Sequence, residues 1–89
     1  MNVTKEIIDR IASEAKSCGA TRIILFGSAS VSYENVHDID IAVDGIKGWK
    51  IFEFAGRMED ELNIPVDVVS LSPSSGFTRH IENYGQILL

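Results

Sequence analysis

The sequence predicts a single α/β domain of the α+β kind, a small mixed β-sheet with helices packed on it, spanning residues 1–89. Three observations predict it. Two apolar segments have helical spacing, three short β-branched segments lie between and after them, and one strand-helix-strand unit joins the second and third of those strands. The length of 89 residues leaves no room for a second domain. With 45% apolar and 24% charged residues and two prolines, the chain has the composition to bury one core.

From Val3 to Cys18 the residues Val3, Ile7, Ile11, Ala15 and Cys18 recur at helical spacing, with Asn2 or Thr4 as N-cap and Gly19 as the stop. Arg22 to Phe26 is β-branched and apolar on both faces, a strand covered on both sides and ended by Gly27-Ser28. From Asp38 to Val43 the pattern alternates. Ile39, Ile41 and Val43 fall on one face and Asp38, Asp40 and Ala42 on the other. Trp49 to Leu62 carries Ile51, Ala55, Met58 and Leu62 on one stripe, with Asn63 as C-terminal cap. Trp49, Phe52 and Phe54 are expected to pack into the core from this helix. Val66 to Leu71 returns to strand character behind Pro65, Phe77 to Tyr84 is a short helix ended by Gly85, and Ile87 to Leu89 adds an edge strand.

The crossover from Asp38 through the second long helix to Leu71 should be parallel and right-handed. Asp38, Asp40 and Asp67 then fall at one end of the sheet. An antiparallel first strand delivers Gly27-Ser28 to the same end.

Those residues have a common chemistry. Carboxylates at i and i+2 on a strand project to one face, close enough to share a cation. Magnesium takes hard oxygen ligands and commonly only one or two carboxylates, leaving positions for water and phosphate. Asp67 is a third carboxylate, either a further metal ligand or the base that accepts a hydroxyl proton. It is the odd polar residue in an apolar strand, so a buried position would demand a partner such as a metal. Gly27 lets backbone approach a phosphate, and Ser28 offers a hydroxyl and a turn of helix to it.

The segments LFGSASVSYENVHDIDIAVDG, Leu25 to Gly45, and IPVDVVSL, Ile64 to Leu71, resemble the minimal nucleotidyltransferases of the DNA polymerase β superfamily. Their signature is Gly-Ser, then Asp-x-Asp, then a later Asp, and the match covers nearly the whole chain. The resemblance implies a polymerase β-like nucleotidyltransferase fold, phosphate contacts at Gly27 and Ser28, Mg2+ ligation by Asp38 and Asp40, and Asp67 as third acidic residue. It further implies an antitoxin that transfers AMP from ATP to a hydroxyl of a HEPN-type toxin. The alternative is a module of weak or absent activity that neutralises its partner by binding. Two departures from the family's pattern raise that alternative. Ala29-Ser30-Val31 stands where many relatives have a small residue, arginine and glycine, and His37 stands where serine is common. Arg22, Lys47, Lys50, Arg57 and Arg79 are candidate replacements for the arginine.

The remaining features have plainer readings. Net charge of −5 disfavours binding to a nucleic-acid backbone. No long apolar segment and no basic-then-apolar leader is visible, so a soluble cytoplasmic protein, with a protein partner and room for homo-oligomers, is expected. Cys18, the one cysteine, reads as a small buried thiol. His37 reads as a loop residue and His80 as surface away from the motif. Glu59-Asp60-Glu61 reads as a solvated helix face and Asp44 as the start of a turn with Gly45.

Overall fold

The computed structural model describes residues 3–89. Thr4 caps the first helix, α1 (Lys5–Ser17), by accepting a hydrogen bond from the Ile7 amide at 3.3 Å. Asn2, the other cap candidate, lies outside the described residues. The buried stripe of α1 runs through Ile8, Ile11 and Ala15, so Ile8 rather than Ile7 faces inward. Val3 is buried too, but it precedes the helix, its amide donating to the Tyr33 carbonyl.

Strand β1 (Arg22–Phe26) occupies the predicted span and ends at Gly27. A four-residue helix, α2 (Ser28–Val31), follows at once. Strand β2 (Ile39–Asp44) pairs antiparallel with β1, bringing Phe26 opposite Asp40 and Arg22 opposite Asp44. Helix α3 (Gly48–Leu62) is closed by Asn63 in the left-handed conformation at φ 56°. Strand β3 (Val66–Ser70) then pairs parallel with β2, as the crossover requires, placing Asp67 opposite Asp40.

Helix α4 (Gly76–Tyr84) opens with a reciprocal cap between Ser75 and Thr78. It delivers β4 (Gln86–Ile87), a two-residue edge strand one position earlier than the sequence suggests, antiparallel to β1. The sheet order is β3-β2-β1-β4.

Each face of the sheet has its own core. Ile23 and Leu25 of β1, Ile39, Ile41 and Val43 of β2 and Val66 of β3 pack under α1 and α3, whose inward residues include Ile11, Phe54 and Met58. On the other face Ile24, Ala42 and Leu71 meet Ile81 of α4, with Phe26 and Val69 beside them. The β-branched run of β1 is thus apolar on both faces because both are covered.

Two expectations for α3 fail. Phe54 is buried, but Trp49 and Phe52 are 65% and 81% exposed. At about 100° per residue, Ile51, Phe54 and Met58 share one stripe, and Trp49 and Phe52 fall off it. Ala55 and Leu62, assigned to that stripe, are only partly buried. Among the described residues, no buried side-chain nitrogen or oxygen lacks a hydrogen-bond partner, and no helix is long and apolar enough to cross a membrane.

Candidate functional site

The antiparallel β1-β2 pair and the parallel β2-β3 pair bring three segments to one end of the sheet. Val36 and Ile39 are buried, anchoring the loop on both sides of exposed His37 and half-buried Asp38. The Ile39 amide donates to the Pro65 carbonyl at 2.9 Å, fixing the start of β2 against the start of β3. Asp38, Asp40 and Asp67 each place a carboxylate oxygen within 4.8 Å of the other two.

Asp40 and Asp67 share the α4 face of the sheet, and Asp38, which precedes β2 rather than opening it as the alternation suggests, joins them there. Asp40 alternates with Ala42, and Asp67 with Val69 and Leu71, all of which belong to the smaller core. Ile81 of α4 covers the middle of that face and leaves the carboxylate end open. Asp67 is therefore exposed, correcting the expectation of a carboxylate buried in an apolar strand.

The three like charges act on one another. Partial burial, then the charges of Asp38 and Asp67, and a hydrogen bond with Asp67, push the Asp40 carboxyl up from 3.8 to about 6. A divalent cation reverses the sign of the field that raises it. The donor set is three hard oxygens with solvent on one side, which suits Mg2+ or a similar hard cation.

Gly27 abuts this cluster. Its backbone sits at φ 72°, ψ −157°, a region open essentially to glycine alone. A Cβ built there would run into Asp40 Oδ2. The residue that turns β1 into α2 is thus also the one that leaves space for the Asp40 carboxylate. Ser28 is exposed at the first position of α2, where the opening amides of a helix lack intrahelical partners.

Ser30, at the position where the resemblance leads one to expect arginine, is occupied otherwise. Its hydroxyl donates to the Gly27 carbonyl at 2.7 Å, which ties α2 to the glycine turn. The candidate replacement cations are placed elsewhere. Arg22 pairs with Glu82 at 2.8 Å, Arg57 contacts Glu14 and Cys18 at 3.3 Å each, and Arg79 bonds the Ser75 carbonyl of its own helix. Lys47 and Lys50 sit where α3 begins, beyond the far end of β2. Lys50 lies over the Trp49 ring at 5.4 Å. Cys18 is half-buried against Arg57 rather than fully enclosed.

Two contributors were not legible in the sequence. Glu59, assigned to a solvated face, uses Oε1 to accept the Val66 amide at 2.9 Å, holding the residue just before Asp67. Its neighbour Glu61 pairs with Arg10 at 2.7 Å. His80 is exposed as expected, yet it is not remote from the motif: it lines a groove that begins at Gly27. No local pattern signals either, because each depends on how α3 and α4 dock.

No protein-family model matches the chain, and no curated protein matches it in sequence. Solved structures do match. A chain of the MNT antitoxin complex with tri-AMPylated HEPN toxin from Shewanella oneidensis aligns with a TM-score of 0.75 at 25% identity, over 96% of this chain and 71% of that one. A mutant toxin-antitoxin MntA-HpeT gives 0.74 at 26% identity, over 97% and 72%. A toxin-antitoxin structure with AMP-PNP gives 0.76 at 24% identity, over 98% and 73%, and at that identity shows the fold alone. The resemblance to the minimal nucleotidyltransferases therefore extends over the whole α+β fold.

Proposed function

We propose that this chain is a metal-dependent nucleotidyltransferase that moves AMP from ATP to a hydroxyl of a partner protein, the hydroxyl oxygen bonding to the α-phosphorus as pyrophosphate leaves, and that it acts as the antitoxin of a HEPN-type toxin. The observation that carries the reading is the convergence of Asp38, Asp40 and Asp67 within 4.8 Å at the uncovered end of the sheet, with Gly27 packed against Asp40. The fold shared with an MNT antitoxin whose HEPN partner is AMPylated, and with a complex containing AMP-PNP, supports the choice of nucleotide and acceptor class.

In this reading Asp38 and Asp40 hold Mg2+, and Asp67 either completes the metal site or takes the proton from the attacking hydroxyl. The bound ion supplies neutralisation of the triphosphate and activation of that hydroxyl. Gly27 and Ser28 face the phosphates, glycine by close backbone approach and serine through its hydroxyl and the first amides of α2. Val36, Ile39 and Glu59 act indirectly, fixing the segments from which the carboxylates project. The acceptor hydroxyl docks at the open end.

Co-expression with a HEPN-type toxin, read by intact mass of the toxin, tests the proposal. AMP increments with the native chain that vanish for Asp38→Asn, Asp40→Asn support it. A second reading, neutralisation by contact, is favoured by Ser30, whose hydroxyl is bound to Gly27 while the nearby arginines pair elsewhere. Neutralisation retained by the double variant, with no AMP increments on the toxin, would establish that reading instead.

A further inference from the structure

The groove that begins at Gly27 has a different character from the carboxylate cluster beside it. It holds about 390 Å3 between α2 and α4, and its lining is apolar and aromatic: Phe26, Val31, Phe77, His80 and Tyr84 with Gly27 at one end. Phe77 is 56% and Tyr84 76% exposed, so both rings are open to a ligand in the groove. Their rings are held in place. Phe26 and Phe77 meet edge to face at 5.9 Å, and His80 and Tyr84 lie 4.8 Å apart. Gly85 fixes the end of α4 against β1, since a Cβ there would run into Ile24 and come 2.9 Å from the Leu25 carbonyl.

The groove and the carboxylates are continuous. Phe26 is opposite Asp40 across the β1-β2 pair, and directly opposed residues share a face, so the groove wall and the acidic cluster adjoin on the open face of the sheet. Gly27 belongs to both, touching the groove and leaving room for Asp40. The groove's own lining holds no Asp, Glu, Lys or Arg. A ligand that spans both sites has an anionic end, drawn to a cation on the carboxylates, and a flat uncharged end. Volume and lining fit a small planar ring, in the range of ligand clefts.

We infer that this groove is the nucleobase subsite, with Phe77 and Tyr84 as stacking walls and His80 as a polar group at the base edge. The inference rests on the nucleotide reading of the carboxylate site and adds the residues that recognise the nucleoside. Aromatic walls stack on any base, so the groove supplies affinity for the nucleoside before it supplies choice among bases.

Calorimetric titrations of Mg2+-ATP and Mg2+-tripolyphosphate, the latter lacking a nucleoside, test it on the native chain, Phe77→Ala and Tyr84→Ala. Both positions are exposed enough for the variants to fold, and circular dichroism checks this. The expected result is that native protein binds ATP more tightly than tripolyphosphate on the order of tenfold. Each variant should lose most of that difference while keeping its tripolyphosphate affinity. In parallel, ATP but not tripolyphosphate should shift the ring-proton NMR signals of His80 and Tyr84. Equal affinity for the two ligands in the native chain overturns the subsite, as does ATP affinity unchanged in both variants; the groove is then left to a polypeptide segment. Failure of both ATP and tripolyphosphate to bind native protein in the presence of Mg2+ overturns the nucleotide reading itself, and the subsite with it.

Discussion

The two faces of the sheet are built to different ends. Beneath α1 and α3 most of the sheet is covered, and the residues there, from Ile11 and Ile23 to Phe54 and Met58, are almost wholly excluded from water. Beneath α4 the enclosed apolar cluster is Ile24, Ala42, Leu71 and Ile81, and the end of the sheet beyond it carries Asp38, Asp40 and Asp67. One sheet therefore uses its alternation twice. Ile39 and Ile41 send their side chains into the large core, and Asp40 between them points to the open face. The stability of the fold rests mainly on the first face, which frees the second to hold three like charges that oppose folding.

Substitutions on the two faces should separate these roles. Phe54→Ala, in the large core, is expected to cost about 4 kcal/mol in urea unfolding, close to the whole stability of so small a domain. Gly27→Ala, at the open end, should cost about 2 kcal/mol through backbone strain and the displaced Asp40. Its larger effect is functional: Mg2+-dependent ATP binding should fall below detection while circular dichroism shows the fold retained.

The pH dependence sharpens the contrast further. Folding raises the Asp40 carboxyl from 3.8 to about 6, so the folded state binds a proton more readily than the unfolded one. That contribution appears as pH falls through about 6, is complete below the unfolded value of 3.8, and is lost as pH rises. Metal-free native protein should thus gain about 1 kcal/mol, relative to Asp40→Asn, between pH 7 and pH 4.5, after discounting for solvent screening at this half-exposed group. Added Mg2+ should erase the difference. Smallest of all, Phe52→Ala should change stability by less than about 0.5 kcal/mol in the same urea assay, because its ring is 81% exposed.

Much of this division can be read from residue order. The run from Arg22 to Phe26 marks a doubly covered strand because β-branched residues bounded by glycine leave few alternatives. The alternation of Ile39, Asp40, Ile41 and Ala42 assigns faces before any partner is known. Asn63 marks the end of α3 because it tolerates a left-handed backbone. Trp49 and Phe52 read as core from their aromatic character, but their position on the helix turns them to solvent. Asp67 reads as buried from its apolar flanks, yet β3 is an edge strand and α4 stops short of it. The bond from Val66 to Glu59 and the groove between α2 and α4 join elements far apart in the chain, so only docking reveals them.

The central claim is that the three aspartates of the open face form a metal-dependent nucleotide site. Titration calorimetry of ATP with and without Mg2+, on the native chain and on a folded Asp38→Asn, Asp40→Asn variant, tests it most directly. Binding that requires Mg2+ and disappears in the variant is the predicted result. Mg2+-dependent binding of equal strength in both proteins, or none in the native protein, would contradict it.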